Sequence, residues 1–333
     1  MKQIALTGIK PTGQPHIGNY LGMIKPALEL AEDYQALYFI ADYHALTTVK
    51  DKKELTDLTY QAAATWLALG LDPDREILYR QSDIPEVFEL SWVLACFTSK
   101  GLLNRAHAYK TLIDENIAEG REEDKGINAG LYTYPVLMAA DILLFGTHIV
   151  PVGFDQKQHL EITRDVALAF NNNYREVLVV PEAVIRKEVM TITGLDGRKM
   201  SKSYNNVVPF FAPPNEVRKK VMRIVTDSKR PEEPKDPDAC NIYAIYKHFA
   251  DADAIAEKRQ LYLDGGLAYG DMKNELYVLL EATFSAQRER YNALMDNRAD
   301  LEKVLQEGAE KARYIAKRVL GKVRKAAGVT GSL

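Results

Sequence analysis

The chain has 333 residues, enough to bury a large core and to divide into two domains. Its 47% hydrophobic and 27% charged residues are ordinary for a globular protein, and its net charge of −3 excludes nucleic-acid binding through overall charge while permitting a local basic surface. Two lone cysteines, no signal-peptide pattern and no segment of membrane-spanning length together predict a cytoplasmic protein that binds neither membrane nor DNA.

Strand and helix patterns alternate over the first 190 residues. Short apolar runs predict strands at 4–7, 37–41, 77–79, 149–152 and 177–180. Helical spacing predicts helices at 19–32, 87–97 and 156–170, and another after Asp51, which forms an N-cap pair with Glu54. Pro26 is expected to kink or interrupt the first helix. This alternation predicts an α/β fold, a doubly wound parallel sheet covered by helices on both faces.

The order of elements also predicts where a ligand binds and where the domains divide. In such sheets the ligand lies beyond the carboxyl ends of the strands, so loops 8–19, 42–44, 81–83 and 151–156 are candidate site loops. Helical periodicity dominates after residue 205, which predicts domains at 1–204 and 205–333. Within these, 114–128 is expected to be a charged surface insertion in a connecting segment near 99–130, and 229–239 an exposed Pro-rich loop.

Residues 8–19, GIKPTGQPHIGN, form the first candidate loop. Glycines allow close approach of a ligand to the backbone, and a helix that begins there offers unpaired N–H groups to an anion. Lys10 and His16 add side-chain donors. The loop therefore favours a phosphate site, and the alternative is a Gly/Pro-rich turn that binds nothing.

Residues 197–203, GRKMSKS, form a second candidate loop far along the chain. Lys199 and Lys202 lie in a flexible Gly/Ser setting and could close on a polyphosphate. Taken alone, such a loop is more often a solvated surface segment. We expect the two loops to meet around one nucleotide triphosphate.

Together the two loops resemble the signatures of the class I aminoacyl-tRNA synthetases, HIGH and KMSKS. The first is His16-Ile17-Gly18-Asn19, with Asn19 in place of the final histidine, and the second is intact at 199–203. The resemblance implies a Rossmann-like catalytic domain and catalytic roles for His16, Asn19, Lys199 and Lys202. It also implies ATP as substrate, with Mg²⁺ arriving on the nucleotide. No Cys/His spacing in the sequence predicts a structural metal.

The middle of the chain contains a helix with an isolated acid. Tyr134, Met138 and Asp141 fall on one face of an otherwise apolar segment. A buried carboxylate is costly unless a group donates to it. Asp141 could be held by an internal salt bridge, could cap a neighbouring helix, or could accept from a substrate's indole N–H or phenol hydroxyl; the residues alone leave these open.

Residues 132–159 as a block resemble the tryptophanyl-tRNA synthetases, and the likeness runs from about residue 3 to residue 325. It implies that the nucleotide is bound by Lys10, Pro11, Thr12, Gly18, Asn19, Gly153, Phe154, Asp155, Val189, Lys199, Met200, Ser201, Lys202 and Ser203. It implies that L-tryptophan is bound by Leu6, His44, Tyr134, Met138, Asp141, Val150, Val152 and Gln156, with Asp141 as the indole acceptor. Leu6, Ala108 and Phe154 depart from the common family residues, which leaves pocket closure open.

The implied reaction is activation of tryptophan by ATP and transfer to tRNA(Trp). The helical half is then expected to bind the anticodon, with its last helix a candidate to pack back on the catalytic domain, and the family implies a homodimer. The basic amphipathic segment 311–325 is either an RNA contact or a solvated face. The alternatives are a tyrosyl-tRNA synthetase and a synthetase-like accessory binding protein.

Overall fold

The computed structural model describes residues 2–151, 153, 157–184 and 192–329. Its single five-stranded sheet is parallel throughout, in the order β3-β2-β1-β4-β5. The strands are β1 (Ile4–Ile9), β2 (Gln35–Ile40), β3 (Ile77–Arg80), β4 (Ile149–Pro151) and β5 (Glu182–Val184). The chain order reverses between β1 and β4, which opens a crevice at the carboxyl ends of these strands.

The apolar runs form strands in which every side chain can be buried, because both faces of the sheet are covered by hydrophobic cores. Side chains alternate between two hydrophobic cores: Tyr38 and Leu78 pack into one, whereas Leu37 and Tyr79 pack into the other. The predicted doubly wound fold is confirmed, and the predicted strands at 4–7, 37–41 and 77–79 match β1 to β3 closely. β4 confirms the prediction at 149–151, and Val152 lies outside the described residues.

The strand predicted at 177–180 is wrong, because this segment is irregular and the strand is β5, a few residues later. The Asn171 side chain accepts from the backbone N–H groups of Val177 and Leu178 and donates to the Leu178 carbonyl. These backbone groups are therefore satisfied without a strand partner. Leu178 is buried in the core, which explains the apolar pattern that suggested a strand.

Helices cover the sheet and build the second half of the chain. The helices of the first half are α1 (Ile17–Asn19), α2 (Lys25–Leu30), α3 (Asp42–Ala45), α4 (Lys52–Ala68), α5 (Glu86–Ala95), α6 (Lys100–Asn104), α7 (His107–Ala118), α8 (Ala129–Leu143) and α9 (Lys157–Asn173). Those of the second half are α10 (Pro214–Met222), α11 (Asn241–Tyr246), α12 (Ala252–Asp264), α13 (Tyr269–Asp296) and α14 (Arg298–Ala327). As predicted, Asp51 caps α4 by accepting from the Glu54 N–H at 2.8 Å.

The helix predicted at 19–32 is interrupted, as Pro26 led us to expect. A π-helical turn, Tyr20–Ile24, separates α1 from α2, and Pro26 lies in the first turn of α2. Proline lacks the N–H that a continuous α-helix requires, and at a first turn no such donor is needed. The break divides the segment into a short helix beside the first loop and a second helix that packs in the core.

The last helix packs against the sheet of the first half. Gly308 on α14 lies against the backbone of Leu78 in β3, so closely that a β-carbon would overlap the Leu78 carbonyl oxygen. Ion pairs continue this contact, with Arg80 and Glu302 at 2.7 Å and Arg313 and Glu86 at 2.8 Å. The boundary between residues 204 and 205 stays a prediction.

Two surface segments have definite structure. The predicted insertion at 114–128 begins inside α7 and continues as turns. The loop at 229–239 is largely exposed, but its Lys235 is buried and donates to the carbonyls of Arg230, Pro231 and Glu233. A single lysine therefore fixes the shape of that Pro-rich loop. None of the helices in the described ranges is long and apolar enough to cross a membrane.

The contact at Gly308 predicts that Gly308→Ala lowers stability by about 1–3 kcal/mol or more, because a methyl group would be forced into the backbone of β3. Gly321→Ala on the same helix is the matched control. Its β-carbon would meet open space, so helix propensity predicts a gain of up to about 1 kcal/mol. Thermal unfolding midpoints should fall for the first and rise for the second. A Gly308→Ala protein that melts at or above the wild-type temperature would contradict the packing described.

Candidate active site

The two loops predicted to meet are in contact. The Lys202 ammonium donates to the Thr12 carbonyl at 2.9 Å, and the Gly18 N–H donates to the Met200 sulfur at 3.3 Å, across 190 and 182 residues of sequence. Gly13 between them has φ of +97°, a conformation that favours glycine. A β-carbon there would lie 3.4 Å from the Lys202 nitrogen. The glycine thus leaves room for the lysine to reach the first loop.

A cavity of about 220 Å³ lies between these loops. Of the residues predicted to bind the nucleotide, Lys10, Pro11, Thr12, Asn19 and Lys202 line it. The rest of its wall comes from Gly8, Ile9, Gly13, Pro15, Met23, Ala62 and Thr65. Glycine backbone and two lysine side chains at the start of a helix suit an anionic group such as a phosphate.

His16 lies next to this cavity as a neutral imidazole. The side chain is 6% exposed, and its Nδ1 has no hydrogen-bond partner in the described part of the chain. Burial, with the nearby Lys202 ammonium, lowers the pKa of His16 to about 4. A neutral imidazole can still donate one hydrogen bond to a phosphate oxygen. Asn19 stabilises the turn by accepting from the His16 N–H at 3.1 Å.

The rest of the lysine loop is placed differently from Lys202. Met200 is buried, whereas Lys199 and Ser203 are exposed and line neither of the two cavities. Asn206, which the sequence analysis missed, accepts from the Ser201 N–H at 2.8 Å and donates to the Lys199 carbonyl at 3.1 Å. Its side chain therefore holds the loop in a fixed curve. The signal in the sequence was only a polar residue after KMSKS.

A larger cavity of about 490 Å³ opens beside the first, at the carboxyl ends of β1, β2 and β4. Of the residues predicted to bind the amino acid, Leu6, His44, Tyr134, Met138 and Val150 line it, and so does Gly153. Its other lining residues are Thr7, Gly8, Lys10, Met23, Phe39, Ala41, Thr47, Thr48, Ala108, Leu131, Ile142, Pro151 and His159. An apolar cavity with a few polar groups suits a small amphipathic ligand.

Lys10 stands where the two cavities adjoin, since it lines both. Its ammonium donates to the Thr47 hydroxyl at 3.1 Å, and that hydroxyl donates to the His44 carbonyl at 2.8 Å. Burial lowers the pKa of Lys10, because a charged ammonium loses hydration there. The cation therefore lies at the boundary between the two cavities.

Asp141 is buried behind the wall of the larger cavity. It is 1% exposed, and its Oδ2 lies 2.8 Å from His44 Nε2, while His44 itself lines the cavity. Burial raises the pKa of Asp141, and hydrogen bonds with His44 and Gln81 oppose that shift. In this structure the acid has internal polar partners, the histidine included, and no lysine or arginine is among its hydrogen-bond partners in the described ranges.

Gln81 is a second residue that the sequence analysis missed. Gln81 follows β3 and is fully buried. Its Nε2 lies 2.9 Å from both oxygens of Asp141, and its Oε1 accepts from the Tyr43 N–H at 3.2 Å. The amide therefore fixes the acid and the start of α3 together. Loop 81–83 was a candidate because it follows a strand, but a lone glutamine there gave no further indication.

Tyr134 takes part in a separate pair in the larger cavity. Its hydroxyl is hydrogen-bonded to His159 Nε2, and burial raises the pKa of Tyr134 to about 12. The phenol therefore stays protonated at neutral pH and can donate or accept. Five predicted site residues lie outside the described residues: Val152, Phe154, Asp155, Gln156 and Val189. Among the described ones, no group of three or more His, Cys, Asp or Glu could hold a metal ion.

Comparison with known proteins connects this geometry to a family. The family model for class I tRNA synthetases (W and Y) matches residues 2–285. The chain belongs to this family. The tryptophan–tRNA ligase of Pseudomonas aeruginosa is 50% identical over 97% of the chain and 73% of its own length. That of Neisseria meningitidis is 47% identical over 98% of both chains. The resemblance predicted from the two loops and the Asp141 helix is therefore confirmed.

Solved structures agree with the family assignment. The chain is similar to tryptophanyl-tRNA synthetase from Campylobacter jejuni complexed with ADP and tryptophan. The TM-score is 0.89 at 45% identity, over 98% of this chain and 100% of that one. The synthetase from Mycoplasma pneumoniae gives 0.80 at 31% identity, over 99% of each chain. The parallel sheet and the helical second half are thus those of a class I synthetase.

The environment of His16 predicts an unusual titration. Its NMR midpoint should lie near pH 4, and Lys202→Gln should raise it because a neighbouring positive charge is removed. Lys199→Gln, in the same loop but outside the cavity beside His16, is the control and should leave the midpoint unchanged. Since the unfolded chain takes up this proton near pH 6.5 and the folded chain only near 4, this histidine lowers stability as pH falls through that window. A His16 titration midpoint near pH 6.5 that does not change in Lys202→Gln would contradict the contact between His16 and Lys202.

Proposed function

We propose that this chain is a tryptophan–tRNA ligase. It activates L-tryptophan with ATP to tryptophanyl-adenylate and pyrophosphate, and then transfers the amino acid to tRNA(Trp). The observation that carries the proposal is the pair of adjoining cavities, one between the signature loops and one walled by α8 and the strand ends, which share Lys10. Relatives that are 47–50% identical over nearly the whole chain bear the name of this ligase, which supports the same substrate here.

Tryptophan is favoured over tyrosine within the family. The family model covers both amino acids, and the sequence alone left a phenol hydroxyl as a possible donor to Asp141. The tyrosyl-tRNA synthetase structure from Archaeoglobus fulgidus is only 22% identical with a TM-score of 0.62, a likeness of fold. The tryptophanyl structure of 45% identity contains tryptophan itself. The indole ring of tryptophan, bound in the larger cavity, would place its N–H toward the His44–Asp141 pair.

Binding would be divided between the two cavities. The triphosphate would contact the first loop and Lys202, and Mg²⁺ would come with it. Lys202 now donates to a neutral carbonyl, a partner that a phosphate oxygen can replace with a stronger, charge-assisted bond. Tyr134 and Gln156 would hold the α-amino group of tryptophan. The ribose and adenine of ATP would be bound by Gly153, Phe154 and Asp155, with Val189 and Met200 close to the base. Lys199 would have to turn inward from its exposed position, because its side chain lines neither cavity.

The chemistry needs positioning and charge stabilisation more than proton transfer. A tryptophan carboxylate oxygen forms a bond to the α-phosphorus while the bond to the bridging oxygen breaks and pyrophosphate leaves with its electrons. The attacking carboxylate is already ionised, so no general base is required. Lys10 would bring the carboxylate and the α-phosphate together, and neutral His16 and Lys202 would donate to oxygens that gain charge.

The finer assignments follow the family and the surface. We propose that the protein acts in the cytoplasm, that the helical second half binds the anticodon, and that two copies form a dimer. An exposed aromatic patch supports a contact between copies: Tyr43 and Phe88 pack edge to face at 4.6 Å, and Trp92, one helical turn beyond Phe88, is 74% exposed. Exposed aromatic side chains grouped in this way are typical of protein interfaces.

Amino-acid-dependent ATP–pyrophosphate exchange with all twenty amino acids tests the function. Tryptophan should support exchange at least about a hundredfold better than tyrosine or phenylalanine. Exchange with tyrosine instead would favour the tyrosyl enzyme, and none at all would favour an accessory binding protein.

The same assay tests the lysine loop. Lys202→Ala should lower exchange by roughly 10²–10³, since it removes a donor to the reacting phosphates, while tryptophan binding stays unchanged. Lys125→Ala, an exposed lysine outside both cavities, is the control. Unchanged turnover in Lys202→Ala would refute the proposed role.

The buried acid predicts the selectivity of the larger cavity. Asp141→Ala should reduce the preference for tryptophan over phenylalanine about 10–100-fold, the value of one hydrogen bond to a charged group. Asp141→Asn keeps the shape of the side chain and should give a smaller loss, which separates selectivity from damage to the fold. If both variants keep the original preference in the exchange assay, Asp141 has no part in recognising the indole.

A further inference from the structure

The last half of α14 is strongly basic. From residue 311 to residue 329 the sequence has no aspartate or glutamate. Its cationic residues there are Lys311, Arg313, Lys317, Arg318, Lys322, Arg324 and Lys325. In a chain of net charge −3, this is a local concentration of positive charge that requires a physical explanation.

Three of these side chains are used inside the protein. Lys311 donates to the Pro73 carbonyl at 3.0 Å, Arg313 pairs with Glu86, and Arg324 pairs with Glu89. These contacts hold α14 against the catalytic half of the chain. They also neutralise the two carboxylates of α5 nearest to the helix, so these acids cannot cancel the charge of the remaining lysines and arginine.

Of the four remaining cations, three share one exposed side of the helix with a tyrosine, and the fourth, Lys325, lies in the last turn. Tyr314, Lys317, Arg318 and Lys322 are all exposed. Lys317 and Arg318 follow Tyr314 by three and four residues, and Lys322 follows Arg318 by four, which places them on the same side of the helix. We call these four residues the basic face. Within the described ranges, none of its three cations has a carboxylate partner. Tyr314 is 69% exposed, and the Arg318 guanidinium lies 6.0 Å from the centre of its ring.

The helix dipole does not explain the basic face. Cations near a helix C-terminus are stabilising, which accounts for Arg324 and Lys325 in the last turn of α14. The effect falls off within that turn. Lys317 and Arg318 lie more than two turns before the end at Ala327, so the dipole offers them little.

We infer that the basic face of α14 is a contact surface for the phosphate backbone of tRNA, on the catalytic half of the molecule. The inference rests on the proposed ligase function, which supplies a polyanionic substrate. Three unpaired cations beside an exposed tyrosine provide charge neutralisation together with a ring on which a base or ribose can pack. Because α14 packs on β3 and α5, this surface lies beside the catalytic half of the chain, although its residues belong to the second half, 205–333. Backbone contacts of this kind strengthen binding without reading sequence.

Equilibrium binding of deacylated tRNA to the full-length protein, measured over a range of salt concentrations, tests the surface. Lys317→Gln should reduce the slope of log K against log salt by about 0.7–0.9, because one phosphate contact is lost. Lys303→Gln is the matched control, since Lys303 lies on the same helix beside Glu307 at 3.8 Å and outside the basic face. The triple variant Lys317→Gln/Arg318→Gln/Lys322→Gln should raise the KM for tRNA about tenfold or more. Its tryptophan-dependent pyrophosphate exchange should be unchanged.

The outcomes separate this surface from the function on which it rests. If the wild-type protein exchanges no pyrophosphate, the ligase proposal fails, while a shallower salt slope in Lys317→Gln still supports an RNA contact. If the triple variant binds tRNA like the wild type at every salt concentration, the inference is overturned, and an acidic protein becomes the better partner for this face. If the triple variant also loses pyrophosphate exchange, the salt slopes of Lys317→Gln and its control Lys303→Gln decide, because each of these variants changes one exposed side chain.

Discussion

The site depends on one contact, that between the first loop and the lysine loop. The Lys202–Thr12 and Gly18–Met200 hydrogen bonds join segments that are far apart in the sequence, and the small cavity is lined by the first loop together with Lys202. The same approach places an ammonium near His16, and burial together with that positive charge keeps the imidazole neutral. A loop that holds its cation on a neutral carbonyl is prepared for an anionic ligand, since a phosphate oxygen is the stronger partner.

The sheet determines where the second substrate can lie. The reversal of strand order between β1 and β4 opens the larger cavity directly beside the loops, and Lys10, just past the end of β1, borders both spaces. Behind that cavity, Gln81 and His44 hold Asp141 in a defined orientation. The proposed function therefore assigns selectivity and catalysis to different groups: the polar network around Asp141 for the first and the cations at the loops for the second.

Local patterns predicted much of this arrangement, and side-chain hydrogen bonds that leave no pattern in the sequence account for what was missed. The strands, the Asp51 cap and the break at Pro26 follow from periodicity and backbone chemistry within a few residues. Gln81 and Asn206 could not be identified, because the role of a buried amide depends on partners that only the folded chain shows: Tyr43 and Asp141 for the first, Ser201 and Lys199 for the second. The strand predicted at 177–180 failed for a similar reason: the Asn171 side chain takes the hydrogen bonds that a neighbouring strand would have taken. The two signature loops were found because together they resemble the HIGH and KMSKS signatures of the class I synthetases.

The most direct test is a crystal structure with a non-hydrolysable analogue of tryptophanyl-adenylate. The account predicts that the adenylate phosphate lies between Lys10 and the first loop, with His16 and Lys202 near its oxygens, and that the indole fills the larger cavity with its nitrogen toward Asp141. An analogue bound away from the junction of the two cavities, or an indole nitrogen facing the opposite wall, would contradict it.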